Sequence, residues 1–533
     1  MTLAPRFLVN FWARRLVARF GRRLRAPGHD RRGQQAALAR WLALTARTEF
    51  GRQHGLDATT TYAQFRDRLP LRSTEAFQPL VARMAAGERD VLLPGRCPLF
   101  VETAGTTGEQ RRLLPAPKAM LDHFGAALRD AWFLQALRAG HARVFLGRHL
   151  HLGASIAVSE DRNRYRTSLD GLLTLCLSAW TEANLRAPAG EIAALPEGPD
   201  KIAATVGAML RKNVTLVAGT PEKLAALAEI VHAAAPDPGV PGPLLTTLWP
   251  RLECCVHTGA PLGLFAEPVR AALGPGVRLH EVYAAAEGLF AAQDAGAPES
   301  LRLLTDAGVF FEFLPLASFH ESTLDRAGAA CVPLEHVCPD TDYVLVVTTP
   351  AGLGRCVPGD IVRFVSTQPP RLRFIGRIAH RLNLTGERVD ETAIREALRA
   401  VCARNSWQPI AVHAAPYIER SGAGLVMQAH EWWIELGARA MRTPMANILA
   451  PELDAELAHR LPAYALRREQ RQLGLPLVRL VMPGLFDTWA RHHGKTAGLA
   501  KLAACRSDRL IADQLATLAP FHQDSLASSR SPA

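Results

Sequence analysis

The chain lacks the features that mark several classes of protein. Its 533 residues include nine cysteines, but no two form a C-x-x-C pair and their spacing does not repeat. We therefore expect neither a disulfide framework nor a cysteine-based metal site, and reduced thiols are typical of a cytosolic protein. No apolar run approaches the roughly 18 residues of a membrane span, so we expect no stable membrane insertion.

A secretory signal is also missing, since the first residues lack an apolar core followed by a small-residue cleavage site. Cytoplasmic localisation is the expectation. Residues 7–27 instead interleave aromatic and aliphatic side chains with six arginines in a helix-like pattern. Such a helix either lies on a membrane surface or packs its apolar stripe on its own domain, and packing is the more common outcome.

The charge balance is basic, with 62 basic and 50 acidic side chains and a net charge of +12. This excess suits anionic partners, although arginines spread over solvated helices produce the same balance. No helix-turn-helix, zinc or aromatic RNA-binding signature is present, so we expect no nucleic-acid partner. His149 and His151 have strand spacing and could share a metal, but without further ligands nearby in sequence they are more simply ordinary strand residues.

The length indicates two or more domains, and 48% hydrophobic residues indicate globular folding. Helical periodicity dominates residues 1–90. From about 97 to 375, runs rich in Val, Ile, Leu and Phe, beginning with RVFLG at 143–147, alternate with helical stretches, which is typical of an α/β fold. We predict a large domain over residues 1–377 and a small α+β domain over 378–533.

One stretch of the sequence has the composition of a phosphate-binding loop. The sequence FVETAGTTGEQRRLLP, residues 100–115, brackets two threonines with glycines and continues into two arginines: Gly105, Thr106, Thr107, Gly108, Arg111 and Arg112. Glycines let a ligand approach the backbone, while hydroxyl and guanidinium groups bind anions. Taken alone, a strand-to-helix turn with a basic flank would look the same.

A second motif, LHEVYAAAEG, places Tyr283 and Glu287 where a strand gives way to a loop. A carboxylate beside a phosphate site can hold Mg²⁺ against a nucleotide, and an aromatic ring can lie on a purine. The alternative is a core tyrosine followed by a surface glutamate.

Two further motifs follow. In GLGRCVPGDIVRF, Asp360 comes after a Pro-Gly pair, where its carboxylate could bind ribose hydroxyls or simply belong to a turn. In LRFIGRIAHRLNLTGERV, Arg377 lies where the large domain meets the small one, so the segment could be a hinge that carries a phosphate-directed arginine.

In this order, GTTG, Y-x-x-x-E, G-D and G-R-x₅-N-x-x-G-x-R resemble the adenylate-forming superfamily of acyl-CoA synthetases, luciferases and peptide-synthetase adenylation domains. The chain more closely resembles the Gretchen Hagen 3, or auxin-responsive promoter, family of acyl acid amido synthetases, through TEFGRQHGL, HTGAPLG, VFFEFLPL and GRIAHRLNLTGERV. The resemblance runs from about residue 47 to 512. It implies a large N-terminal adenylate-forming domain with mixed sheets and flanking helices, and a small mobile C-terminal lid.

The resemblance also implies the roles of individual residues in binding ATP and Mg²⁺. The ATP phosphates would be held by Gly105, Thr106, Thr107, Gly108 and Arg112. The adenine would be held by Gly259, Ala260 and Tyr283. Asp360 would bind the ribose and Glu287 would bind Mg²⁺. Arg377, at the domain junction, would also bind the nucleotide. Lys501 aligns with the catalytic lysine, and Lys495 is the fallback.

Four departures from the family pattern bear on activity. Ala104 and Ala286 replace hydroxyl residues, Cys356 replaces a tyrosine, and LAAC follows Lys501 in place of the usual residues. Each lost hydroxyl removes about 1 kcal/mol of hydrogen bonding, which should weaken ATP handling rather than abolish it.

The resemblance implies a ligase that adenylates a small carboxylic acid and passes the acyl group to an amino acid or another amine. A thiol acceptor, coenzyme A or a carrier arm, is the alternative enzyme, and the departures motivate a catalytically degenerate nucleotide-binding scaffold. The sequence carries no signal for the identity of the acid or for the oligomeric state.

Overall fold

The computed structural model describes residues 5–103, 112–161, 164–233, 245–259, 262, 265–274, 276–297, 300–421, 424–437, 445–493, 502–519 and 522–524. The chain divides into two compact units. The first comprises Met1–Ala104, Arg111–Pro261 and Glu267–Phe374, and the second comprises Gly105–Gln110, Leu262–Ala266 and Ile375–Ala533.

The first unit begins with helices and continues as alternating strands and helices. Its α-helices are α1 (Arg6–Leu24), α2 (His29–Thr45), α3 (Glu49–Gln53), α4 (Tyr62–Arg68), α5 (Gln78–Ala85), α6 (Lys118–Ala139), α7 (Leu169–Leu175), α8 (Ala179–Asn184), α9 (Gly190–Ala194), α10 (Pro199–Met209), α11 (Pro221–Ala233), α12 (Leu245–Leu248) and α13 (Ala266–Leu273). No helix in the described ranges is long and apolar enough to cross a membrane.

The strands up to the end of the first unit are β1 (Arg72–Ser73), β2 (Leu99–Glu102), β3 (Leu113–Pro115), β4 (Arg148–His151), β5 (Ser159–Asp161), β6 (Arg164–Thr167), β7 (Arg186–Ala187), β8 (Val214–Gly219), β9 (Cys254–Thr258), β10 (Arg278–Ala285), β11 (Gly288–Gln293), β12 (Leu301–Leu303), β13 (Phe310–Pro315), β14 (Val332–Pro333), β15 (Asp342–Thr348), β16 (Cys356–Val357), β17 (Asp360–Thr367) and β18 (Pro370–Arg377).

Fourteen of these strands form one mixed sheet, with the order β1-β16-β15-β17-β18-β12-β11-β10-β9-β8-β4-β7 and with β13 and β14 attached to β15. Strands β10, β9, β8, β4 and β7 run parallel, whereas β10, β11, β12 and β18 are antiparallel neighbours. A four-stranded sheet, β3-β2-β6-β5, stands apart. The predicted α/β class is confirmed, since buried parallel strands alternate with helices as the sequence pattern indicated.

The RVFLG run is an exception to the predicted strands. Its first four residues form a 3₁₀-helix, Arg143–Leu146, and the strand starts only at Arg148. The Val144 carbonyl accepts a hydrogen bond from the Thr215 hydroxyl at 2.6 Å and lies 3.1 Å from His149 Nε2, so side chains satisfy it. Apolar content alone therefore predicts the strand too early, because the strand begins at Arg148 and not at Arg143.

The second unit is a small α+β structure that follows the 3₁₀-helix Ile378–His380. Its elements are β19 (Arg381–Leu382), β20 (Val389–Asp390), α14 (Glu391–Asn405), β21 (Pro409–Ser421), β22 (Gly424–Leu436), α15 (Ala446–Arg460), α16 (Pro462–Glu469), β23 (Leu477–Val481), α17 (Leu485–His492), α18 (Leu510–Leu518) and β24 (His522–Asp524). Strands β21 to β24 form one sheet in that order.

Helix α14 shows how local sequence builds this unit. Asp390 caps the helix by accepting a hydrogen bond from the Ala393 amide at 2.9 Å, as an N-cap carboxylate does. Ile394, Leu398 and Val401 then fall on one face at helical spacing and are fully buried. The helix therefore packs on the core formed with Trp432 and Ile434 of β22.

Candidate active site

Tyr283 and Asp360, predicted from separate motifs, are in direct contact. The Tyr283 hydroxyl donates a hydrogen bond to Asp360 Oδ2 at 2.5 Å, across 77 residues of sequence. The tyrosine ring lies between Phe290 and Phe374, with centroid distances of 5.3 and 5.4 Å. Both polar residues are buried, so hydroxyl and carboxylate fix each other's position at this edge of the sheet.

Gly259 directly follows β9, the strand that pairs with β10, and Tyr283 lies in β10. Thr258 pairs with Val282, so the next residues along the two parallel strands are Gly259 and Tyr283. Gly259 has φ of 86°, a conformation that favours glycine. Gly259 and Tyr283, two of the three residues that the resemblance assigns to adenine, are thus neighbours near the carboxyl ends of two parallel strands, where α/β sheets bind ligands.

Glu287 lies in a two-residue hairpin turn between β10 and β11, where Ala285 pairs with Gly288. It is only 7% exposed, which is low for a glutamate in a turn. A side chain at Gly288 would be excluded, because its Cβ would lie 2.7 Å from the Phe290 ring and 3.0 Å from His123 Nε2. The glycine therefore allows the hairpin that carries Glu287 to pack closely against Phe290 and His123.

A threonine from the N-terminal helical region contacts this glutamate, and Glu287, Thr74 and Cys356 together form a cluster that we term the glutamate pocket. The Thr74 hydroxyl donates to Glu287 Oε1 at 3.2 Å and lies 3.5 Å from Cys356 Sγ. Parallel pairing of β1 with β16 brings it there, with Arg72 opposite Cys356 and Ser73 opposite Val357. Burial, and then the charge of Glu287, raise the pKa of the Cys356 thiol, so the cysteine is neutral.

Strand β16 is held by a buried arginine. Arg355 donates from Nε and Nη2 to the two carboxylate oxygens of Glu312, both at 2.9 Å, and neither side chain is exposed. The Tyr62 hydroxyl donates to the same carboxylate at 3.1 Å. Further Arg355 donors reach, at 2.8 Å each, the backbone carbonyls of Arg66, Leu69 and Gly328. This network fixes the residue before Cys356 to the segment that precedes β1.

Arg112 lies beside this pocket. Its Nη1 is 2.8 Å from Glu75 Oε1, and Glu75 directly follows Thr74. Its backbone is tied to Thr103, whose amide donates to the Arg112 carbonyl at 2.9 Å. The positive charge of Arg112 also acts on the Cys356 thiol by lowering its pKa against the effect of burial. A cationic group therefore lies close to the glutamate pocket.

Several predicted residues lie outside the described ranges. These are Gly105, Thr106, Thr107, Gly108, Ala260, Lys495 and Lys501. Arg377 is described as the last residue of β18 and belongs to the second unit.

The segment that follows Lys501 is anchored within the second unit. The Ala414 amide donates to the Ala504 carbonyl at 2.8 Å. The Ser507 amide donates to the Ala379 carbonyl at 3.1 Å, and Cys505 Sγ donates to the His380 carbonyl at 3.2 Å. Because Ala379 and His380 belong to the predicted hinge, the LAAC segment and the hinge are joined by direct hydrogen bonds.

The Glu391 carboxylate contacts both the hinge and the LAAC segment. Its Oε1 accepts a hydrogen bond from the Ala504 amide at 2.5 Å, and its Oε2 lies 3.0 Å from His380 Nδ1. Burial alone would raise the pKa of this carboxyl, but the bonds to His380 and Ala504 and the charge of Arg395 outweigh it and lower the pKa to about 2. The glutamate is ionised near neutral pH.

Glu387, in the LTGER segment, has a similar environment. It accepts hydrogen bonds from the amides of Leu384 and Thr385 at 2.7 and 2.8 Å, and it lies 3.0 Å from His430 Nε2. Burial raises its pKa, but the His430 contact and the backbone donors lower it further, to about 2. It holds the junction loop in place.

Sequence reasoning missed Thr74, Arg355, Glu312 and Glu391. Their signals are weak: Thr74 follows a proline-interrupted helix, and Arg355 looks like a turn residue beside glycines. A glutamate inside the apolar run VFFEFLPL was the one visible hint, because a charged residue in a buried strand requires a partner.

The donor chemistry of the Glu287 pocket fits Mg²⁺ bound with phosphate. The described residues contain no group of three or more His, Cys, Asp or Glu side chains that could hold a metal. One buried carboxylate beside a phosphate site is nevertheless the usual protein contribution to magnesium, whose other ligands are phosphate oxygens and water.

Three models of one family match the chain in sequence order and together cover well over half of it. They are the GH3 family N-terminal domain over residues 29–171, the central domain over 302–377 and the C-terminal domain over 394–509.

Individual relatives agree with these matches. A GH3 domain-containing protein of Homo sapiens is 31% identical over 277 residues, which are 50% of this chain and 48% of the human protein, so the match spans about half the length of that relative. The putative indole-3-acetic acid-amido synthetase GH3.10 of Oryza sativa subsp. japonica is 25% identical over 406 residues, 68% of this chain and 82% of the rice protein.

Among solved structures, the GH3.15 acyl acid amido synthetase superposes with a TM-score of 0.71 at 16% identity, covering 93% of this chain and 95% of that one. This likeness confirms the predicted large and small domain architecture at the level of fold.

Proposed function

Since the chain belongs to the GH3 family, we propose that it is an ATP-dependent ligase that activates a carboxylic acid as an acyl-adenylate and transfers the acyl group to an amino acid or another amine. The observation that carries the proposal is the meeting of distant motifs. Tyr283 of the second motif contacts Asp360 of the third, and Glu287 of the second motif contacts Thr74, which lies beside Cys356 of the third.

In the first half-reaction, a carboxylate oxygen attacks the α-phosphorus of ATP and the bond to pyrophosphate breaks. Glu287 would hold Mg²⁺, which when bound neutralises phosphate charge. Arg112, with Gly105, Thr106, Thr107 and Gly108, would hold the phosphates. The protein's contribution is thus positioning and charge stabilisation.

The nucleoside would be held at the Tyr283–Asp360 pair. With its hydroxyl held by Asp360, the Tyr283 ring has a fixed orientation against which adenine can lie, together with Gly259 and Ala260. Asp360, at the start of β17, would accept hydrogen bonds from the ribose hydroxyls.

In the second half-reaction, an amine nitrogen attacks the acyl carbon, the bond from that carbon to AMP breaks, and the amine loses a proton. Residues 378–533 would act as a lid that carries Lys501 toward the phosphates in the first step and away in the second. The hydrogen bonds from Ser507 to the Ala379 carbonyl and from Cys505 to the His380 carbonyl support this proposal, because they oblige the hinge and the segment after Lys501 to move together.

The test is acid-dependent release of pyrophosphate from ATP in the presence of Mg²⁺, across a panel of aromatic, indolic and fatty acids. Glu287→Gln and Lys501→Ala should each suppress release. The matched controls are Glu335→Gln and Lys212→Ala, which alter exposed residues of the first unit and should leave release unchanged. Equal loss in the variants and their controls would contradict the assigned roles.

The acceptor is identified by adding amino acids or coenzyme A to the acid that supports pyrophosphate release. Amide formation supports the proposal. Thioester formation with coenzyme A alone would replace it by an acyl-CoA ligase, and absence of both ATP binding and pyrophosphate release would identify a degenerate scaffold.

A further inference from the structure

Helix α1 exposes large apolar side chains that the fold does not bury. Phe7 is 71% exposed and Trp12 is 60% exposed, and Phe11 and Leu16 are each about half exposed. The opposite side of the helix is already packed, because Ala13, Val17 and Phe20 are buried. The exposed aromatic residues are therefore additional to the stripe that attaches α1 to its own unit, and a contiguous exposed apolar patch marks an interaction surface.

The patch continues into an apolar cavity of about 690 Å³ between α1, α6 and α8. Leu8, Trp12 and Leu16 of α1 line it, and so does Trp180 of α8, which is 40% exposed. Asp122 also lines the cavity, but Lys118 Nζ binds its carboxylate at 2.9 Å. The apolar surface is thus wider than a single helix face.

The charges on α1 have one sign. The helix contains six arginines and no acidic residue, and Arg25 follows at its end. Arg23 binds Asp130 at 2.5 Å and attaches the helix to α6. Five others are exposed and follow or flank the aromatic residues: Arg14, Arg15, Arg19, Arg22 and Arg25.

We propose that α1 and the adjoining apolar cavity dock on the surface of an anionic phospholipid bilayer. Aromatic side chains favour the boundary between headgroups and acyl chains, and the arginines match the negative charge of the lipid phosphates. The helix lies on the bilayer and does not span it. This activity is separate from the proposed ligase chemistry, since α1 contributes none of the site residues described above.

The experiment is flotation of the full-length protein with vesicles of phosphatidylcholine alone or of phosphatidylcholine mixed with phosphatidylserine. We expect binding to the mixed vesicles only, and weaker binding as salt is added. The triple variant Arg15→Gln, Arg19→Gln, Arg22→Gln should reduce affinity about fivefold per arginine, on the order of a hundredfold in total. The double variant Phe11→Ala, Trp12→Ala should also release the protein.

The matched control removes the same charge elsewhere in the first unit, with Arg47→Gln, Arg52→Gln and Arg89→Gln, all exposed. It should retain most of the binding, and circular dichroism should show the same helix content in every variant. Three results would overturn the proposal: wild-type protein that floats with neither vesicle or equally with both, a control variant that loses as much binding as the α1 variants, or a dimer in sedimentation that Trp12→Ala dissociates.

Discussion

Both compact units contain buried glutamates that pair with a cationic or imidazole side chain, but the type of partner differs between the units. In the first unit, Glu312 binds Arg355, the residue before Cys356. In the second, Glu387 lies against His430 and Glu391 against His380. Arginine stays charged at any accessible pH, whereas an imidazole can lose its charge. Burial nevertheless raises the pKa of Glu312, whereas the contacts of Glu387 and Glu391 lower the pKa of each to about 2. The first unit thus relies on a permanent cation, and the second relies on carboxylates that stay ionised far into the acidic range.

The largest expected effect comes from breaking the arginine network. Arg355→Met should lower the free energy of unfolding by about 3–5 kcal/mol, because it leaves the Glu312 carboxylate buried without its cation. Urea unfolding of the two proteins measures the difference. The control is Arg363→Met, which breaks an exposed ion pair with Asp342 and should cost less than about 1 kcal/mol. Equal losses would show that the buried pair contributes no more to the free energy of unfolding than the exposed pair does.

Next in size is the response of the second unit to acid. The pKa of Glu387 is about 2 in the folded chain, against an ordinary value of 4.5. A lowered pKa contributes stability that is present above pH 4.5 and lost as the pH falls toward 2. Glu387→Gln should therefore be less stable than wild type near neutral pH, by up to about 3 kcal/mol, and the difference should shrink as the pH falls toward 2.

Hydrogen exchange of the β22 amides, measured against pH, follows this unit separately from the first. The exposed Glu335 of the first unit supplies the matched Glu335→Gln control, which should leave the exchange of the β22 amides as it is in wild type. A Glu387→Gln penalty that stays constant down to pH 2 would refute the titration argument.

A smaller effect is expected at Thr74, where a substitution should change the position of Glu287 without changing the stability of the first unit. Thr74→Val removes the hydroxyl that donates to Glu287, which should cost about 1 kcal/mol, or roughly fivefold in kcat/KM for Mg-ATP. Stability to urea should change little, and Thr74→Ser should restore the activity. If Val and Ser variants behave alike, the hydroxyl does not position the glutamate.

The smallest expected effect concerns Glu75, whose carboxylate is 60% exposed and pairs with Arg112. Glu75→Gln should change pyrophosphate release less than about threefold and should not alter unfolding, because exposed ion pairs contribute little. The change should vanish at high salt, which screens the pair. A large, salt-independent loss would instead assign Glu75 to the site itself.

Much of the fold could be predicted because its strands are apolar runs with clear boundaries. The runs NVTLVAG and LECCVHTG contain β8 and β9, and both strands lie within the sheet. RVFLG has the same composition but forms a 3₁₀-helix, since pairing with neighbouring strands decides the conformation and composition does not record it.

The site was partly predictable for a related reason. Tyr283, Glu287 and Asp360 lie in motifs that can be recognised locally, and their assigned roles remain predictions. Thr74 was not recognisable, because its meaning depends on Glu287 at 213 residues' separation and Cys356 at 282. The Tyr283–Asp360 hydrogen bond likewise joins two motifs that are 77 residues apart, and neither motif indicates the other.

The contact between Thr74 and Cys356 also constrains how the protein is made. Because 282 residues separate the two partners, a ribosome must synthesise most of the first unit before Thr74 can reach its pocket. The N-terminal helices leave the exit tunnel long before β16 exists, so β1 waits unpaired during that interval. The glutamate pocket is thus one of the last parts of the first unit to assemble, and a chain that stops before residue 356 cannot contain it.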